Sequence, residues 1–141
     1  RMYYDEYRPI LLKVSPDLSH EQLDEIIDYC LRSGIDGIVA GNTTRSRDGI
    51  TSISKEKIEE IGNGGMSGAP VHKKNLELVR YVHTKSEGKL PIIGVGGIMS
   101  PEQAKDMLNA GASLVEIYSG FIYEGPSLVK RILKYLEQTV K

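Results

Sequence analysis

Glycines placed where apolar runs end are the residues of this chain best suited to chemistry. Gly94, Gly96 and Gly97 follow Pro91-Ile-Ile, while Ser119 and Gly120 follow Leu114-Val-Glu-Ile-Tyr118. Lacking a Cβ, glycine lets the main chain approach an anion closely and take up positive φ. Each run leads into a helix, so two sets of backbone N–H groups converge, which is how a protein grips a phosphate. A single glycine pair could simply turn a strand into a helix, whereas two matched strand ends favour the anion. A phosphate held after the last two strands is a recurring arrangement in (β/α) barrels.

Lys13 stands out next, because it interrupts the apolar sequence Ile10-Leu-Leu-Lys-Val14, where an ammonium without a partner is costly. It calls for an acceptor, either a structural carboxylate or a ligand at the C-terminal end of the strand, the face on which barrels do their chemistry. The following strand ends Ala40-Gly-Asn-Thr-Thr44, with an amide and hydroxyls on the same rim. Asn both donates and accepts, which suits a small planar substrate carrying amide and carboxylate groups. An Asn-Thr turn that merely caps the strand is the plainer alternative.

From Thr43 to Pro70 runs a polar excursion far longer than an ordinary strand-to-helix link, ending Gly62-Asn-Gly-Gly-Met-Ser-Gly-Ala-Pro70. Long loops in compact domains carry function or are disordered. Its glycines would either bring amides to a ligand or act as a hinge, and residues 54–61 read as a short surface helix. His20, His72 and His83 lack the spacing of metal ligands and read as ordinary surface or capping residues. No metal site, catalytic triad or acid pair is expected.

The elements that must position these residues read as strand, helix, strand, excursion, helix, strand, helix, strand, helix, with strands near 10–14, 37–40, 92–95 and 114–117. Strict alternation means parallel strands joined by helical crossovers, and short apolar strands imply cover on both faces. Ser19 and Gln22 form a capping box ahead of Leu23, Ile26, Ile27, Cys30 and Leu31, with Gly34 past the end. Ser100, Pro101 and Gln103 repeat that grammar before Ala104, Met107 and Leu108, with Gly111 closing the helix. Four strands in an open parallel sheet leave bare edges, and a closed barrel takes eight strands and about 250 residues. The chain therefore has the content of half a barrel, four βα units read as a single segment over residues 1–141.

Bulk properties narrow the partners. In 141 residues, 18 basic and 19 acidic side chains leave a net charge of −1, with the basic ones scattered, so nucleic acid is not an expected partner. A lone cysteine, Cys30, reads as a small buried apolar residue in a reducing, cytoplasmic setting. No run of apolar residues is long enough to span a bilayer and no signal-peptide pattern is present. The chain opens Arg1-Met2-Tyr3-Tyr4, which reads as a piece of something longer.

Taken in order, Lys13-Val-Ser-Pro-Asp-Leu18, Gly41-Asn-Thr-Thr44, Gly64-Gly-Met-Ser-Gly-Ala-Pro70, Pro91-Ile-Ile-Gly-Val-Gly-Gly-Ile98 and Leu114-Val-Glu-Ile-Tyr-Ser-Gly120 closely resemble the C-terminal half of the quinone-linked, class 2 dihydroorotate dehydrogenases. The resemblance implies half of an FMN-binding TIM (β/α)8 barrel that oxidises dihydroorotate to orotate in pyrimidine synthesis and passes electrons to a quinone. By motif it makes Lys13 a hydrogen-bond donor to the flavin ring, Asn42 and Thr43 the residues that hold orotate, and Gly68, Gly97, Tyr118 and Ser119 FMN contacts, the last three at the phosphate end. The family's serine base and its membrane- and quinone-facing helices have no counterpart in this sequence, so no catalytic residue is expected here and the chain alone should be inactive. Gly41 departs from the pattern, which has a flavin-touching threonine there. Two alternatives stand beside this reading: another FMN-dependent barrel oxidoreductase, or a non-catalytic half-barrel that binds phosphate ligands or self-associates through its bare edges.

Overall fold

The computed structural model of this chain describes residues 6–48, 50 and 53–139. Strand β1 (Leu11–Val14) leads through helix α1 (His20–Ser33) to β2 (Gly37–Ala40), and the excursion contains α2 (Lys55–Ile61) and a 3₁₀ turn at Ala69–Val71. Helix α3 (His72–Lys85), β3 (Ile92–Val95), α4 (Pro101–Asn109), β4 (Leu114–Glu116), α5 (Ser119–Glu124) and α6 (Ser127–Thr139) complete the order. The four strands form one parallel sheet in chain order, with Lys13 beside Val39, Val39 beside Ile93, and Val95 beside Glu116. The alternation of strand and helix expected from the sequence is thus present.

Local signals explain most of the helix ends. Ser19 and Gln22 cap α1 reciprocally, and Gly34 leaves it in the left-handed conformation at φ 71°. At α4 only half of the expected box forms. Ser100 accepts from the Gln103 amide, but the Gln103 side chain accepts from the Met99 N–H instead of Ser100. The last helix is two helices. Gly125, at φ 66°, ends α5 and Pro126 separates it from α6.

Side chains alternate across a strand, so the register divides the sheet into two faces. Val14, Ile38, Ala40, Ile92 and Gly94 share the face that packs on the helices, where Leu23, Ile27, Val79, Val82, Ala104, Met107 and Leu128 complete the core. Cys30 lies within it, and burial raises its thiol pKa. The other face carries Leu11, Lys13, Val39, Ile93, Val95, Leu114 and Glu116, none of them buried. Cover on both faces was the expectation from the strands' apolar character; here it holds for one. Leu114, on the uncovered face at the β4 edge, is 62% exposed. Four strands leave the inner face without opposing strands to pack it.

Candidate functional site

The open face ends, at the C-terminal tips of the strands, in a cavity of about 460 Å³. Lys13, Asn42, Thr43, Gly68, Gly97, Tyr118 and Ser119 all line it. Those are the seven site residues expected from the sequence, drawn from β1, the β2 end, the excursion, the β3 end and the β4 end. A parallel sheet explains the convergence, because every strand delivers its C-terminal residues to the same rim.

Two glycine-dependent contacts build the end of the cavity nearest α3 and α5. Gly97, at φ 74°, lies so close to the start of α3 that a Cβ would stand 2.5 Å from the His72 nitrogen. Gly120 is equally tight against the neighbouring turn, where a Cβ would meet the Ile98 oxygen at 2.2 Å. Close backbone approach therefore draws α3, α5 and the Gly96–Ile98 turn to one place. Helix α5 has no side-chain cap at Tyr118, which leaves its first amides to a ligand or to solvent. The Ser119 hydroxyl donates to Ser67 at 3.2 Å, joining the β4 end to the excursion. Burial holds the His72 imidazole pKa below its usual value, against an opposing contact with the Gly96 backbone and the charge of Asp106.

At the other end the Lys13 ammonium donates to the Gly41 carbonyl at 2.8 Å. Its acceptor is therefore main chain, not the carboxylate that one reading of the strand required. Gly41 also donates its N–H to the Val95 carbonyl at 3.2 Å, and the Ala40–Gly41 peptide is cis. A Cβ at position 41 would point at Asn75 and Leu78 on α3, so what Gly41 offers the cavity is its backbone. Glu116 is the second charged residue lining the cavity, and nothing in the sequence pattern singled it out.

Thr44 leaves the rim that its neighbours share. It is buried, and its hydroxyl donates to Asp17 at 2.6 Å while accepting from Lys74 at 3.1 Å. Asp17 also accepts from the Arg45 amide at 2.7 Å and from Lys74. Burial pushes the Asp17 carboxyl up, but these donors outweigh it and bring its pKa to about 2. Thr44 pairs with Met66 in an antiparallel bridge, Arg47 donates to the carbonyls of Gly62 and Gly64, and Gly65 lies against the Thr43 side chain. The glycine-rich end of the excursion is tied down and does not read as a free hinge.

Residues 4–140 match the dihydroorotate dehydrogenase family. The chain belongs to that family. Among relatives, the dihydroorotate dehydrogenase (quinone) of Christiangramia forsetii is 50% identical over 125 residues, covering 89% of this chain and 35% of its own length. That of Salinispora arenicola is 45% identical over 123 residues, covering 87% of this chain and 36% of its own. The crystal structure of a ligand-free dihydroorotate dehydrogenase from Eimeria tenella superposes with a TM-score of 0.82 at 35% identity, over 92% of this chain and 35% of that one. The chain thus spans little more than a third of the relatives it matches, and its four βα units are half of the family's barrel. Among the described residues, no helix is long and apolar enough to cross a membrane.

Proposed function

We propose that this chain forms the C-terminal half of the FMN-binding barrel of a quinone-linked dihydroorotate dehydrogenase, as one segment, and carries part of the FMN and orotate sites without a complete catalytic set. The observation that supports this most is the gathering of Lys13, Asn42, Thr43, Gly68, Gly97, Tyr118 and Ser119 around one cavity. Its volume is within the range of about 300 to 1,000 Å³ usual for cofactor pockets. An uncapped helix start and positive-φ glycines at one end suit a phosphate, and a lysine with a neighbouring amide at the other suits a polar ring system. The residues present therefore fit FMN.

When bound, FMN supplies hydride acceptance from dihydroorotate and electron delivery to a quinone. Within this chain, Lys13 holds a positive charge near the ring edge and Gly41 fixes where that charge sits. Asn42 and Thr43 orient the substrate through donors and acceptors on one rim, and Gly97, Tyr118 and Ser119 hold the phosphate. The proton that leaves the substrate has no acceptor assigned among these residues. Cytoplasmic location of this part accompanies the reading, any membrane contact being made by other segments.

Purified chain given FMN, dihydroorotate and a quinone analogue should not turn over, whereas a full-length protein containing it should do so and gain melting temperature with orotate. Turnover by the chain alone would show the remaining half to be dispensable. Absence of orotate protection in the active full-length flavoprotein would favour a different flavin-dependent barrel.

A further inference from the structure

Asn75, on α3, is wholly buried behind Gly41 and Gly96, both of which line the cavity. Its Nδ2 donates to the Asn42 carbonyl at 3.1 Å, and its Oδ1 has no partner among the described residues. Turning the amide round would set two acceptors against each other at Asn42, so that hydrogen bond fixes its orientation. A Cβ on Gly41 would stand 1.9 Å from Oδ1, and one on Gly96 2.1 Å from Nδ2. The amide thus fills the side-chain space of two glycines just past the ends of β2 and β3. Asn75 shares the buried stripe of α3 with Leu78, Val79 and Val82. Packing alone would be better served there by an apolar residue, because a buried oxygen without a donor is costly.

We propose that Asn75 is a positioning residue for the substrate end of the site. It is a wedge that sets the Gly41–Asn42 segment relative to Gly96, and the residues at 41 and 75 form one unit that can change only together. This rests on the proposed function, in which Asn42 holds orotate. It also accounts for Gly41, since the space a threonine would enter is taken by the Asn75 amide. The Lys13 ammonium, bonded to the Gly41 carbonyl, is placed by the same wedge.

The test uses the full-length flavoprotein containing this chain and compares the parent with N75A, G41T and G41T/N75A. N75A should keep its FMN and raise the orotate dissociation constant, read from the flavin absorbance change, at least tenfold, with KM for dihydroorotate rising more than kcat falls. G41T alone should melt well below the parent, and adding N75A should restore most of that loss. An N75A protein that binds orotate like the parent, or a double variant that melts no higher than G41T, would overturn the proposal. If the parent itself binds no orotate, the proposed function fails, yet the melting temperatures still decide the coupling: restoration supports the wedge and its absence refutes it.

Discussion

Replacing Gly97 with alanine separates the two reasons a glycine can be required. At φ 74° an L-residue is strained, by roughly 1 to 2 kcal/mol. The added Cβ would also stand 2.5, 2.6 and 2.7 Å from the His72 N, Cα and Cβ. Most of that clash is with the backbone of α3, which no rotamer change can relieve, and overpacking of this kind costs about 1 to 3 kcal/mol. Gly97→Ala should therefore lose about 2 to 5 kcal/mol. Gly68 provides the comparison, because its φ is 78° but a Cβ would meet the Ser119 Cβ at an ordinary 3.8 Å. Gly68→Ala should lose only the strain, which at φ 78° and ψ −159° is about 1 to 3 kcal/mol. Gly64 has neither feature, with nothing within 4 Å of where a Cβ would stand, so Gly64→Ala should be neutral or slightly stabilising. Urea unfolding of the three variants gives the differences from the midpoints at constant slope. Equal losses for Gly97→Ala and Gly68→Ala would refute the claim that α3 is held against the turn by close backbone approach.

The Asp17 carboxyl has a pKa of about 2 against an ordinary 3.8. A depressed pKa means that its stabilisation is present above pH 4 and is lost as pH falls towards 2. Discounted for partial exposure, Asp17→Asn should cost about 1 kcal/mol at pH 7 and little near pH 2, measured by denaturant titration; a gap unchanged with pH would argue against the ion pair and its amide donors. Lys13→Met keeps the stem and removes the ammonium, so FMN affinity of the full-length apoprotein should fall about 10- to 100-fold by flavin fluorescence. Unaltered affinity would remove Lys13 from the flavin site. The isolated chain, with Leu12 and Leu114 exposed at its two sheet edges, should self-associate, and Leu114→Lys should reduce this; light scattering from a clean monomer would rule it out.

What could be read from the sequence was what depends on neighbours in the chain or on a rule of the fold. Ser19 with Gln22 marks a helix start wherever it occurs, and the C-terminal ends of parallel strands share a rim, which is why Lys13, Asn42, Gly97 and Ser119 could be grouped. What escaped depends on distant partners. Thr44 was grouped with Asn42 and Thr43, but Asp17 and Lys74 draw it away from the cavity. Glu116 lies in an apolar strand whose inward face is fixed by register with Val95. Asn75 did carry a signal, since it sits three, four and seven residues before Leu78, Val79 and Val82, and an amide in that stripe demands a partner.

These contacts share a support. Within the first turn of α3, His72 abuts Gly97, Lys74 bonds Asp17 and Thr44 at the neck of the excursion, and Asn75 bonds the Asn42 carbonyl. One helical turn thus holds the Gly96–Ile98 turn, the root of the long loop and the Asn42 segment. Packed interiors transmit a displacement instead of absorbing it, so a shift of α3 by a few tenths of an ångström must move all three together. The rim is accordingly built with glycine at the positions facing this turn, Gly41, Gly96 and Gly97, where a side chain would push the helix off. Substitutions at those positions should disturb the Gly97, Lys13 and Asn42 ends of the cavity jointly, while changes at Ser67 or Ser119, whose hydrogen bond lies away from α3, should leave the Asn42 end intact.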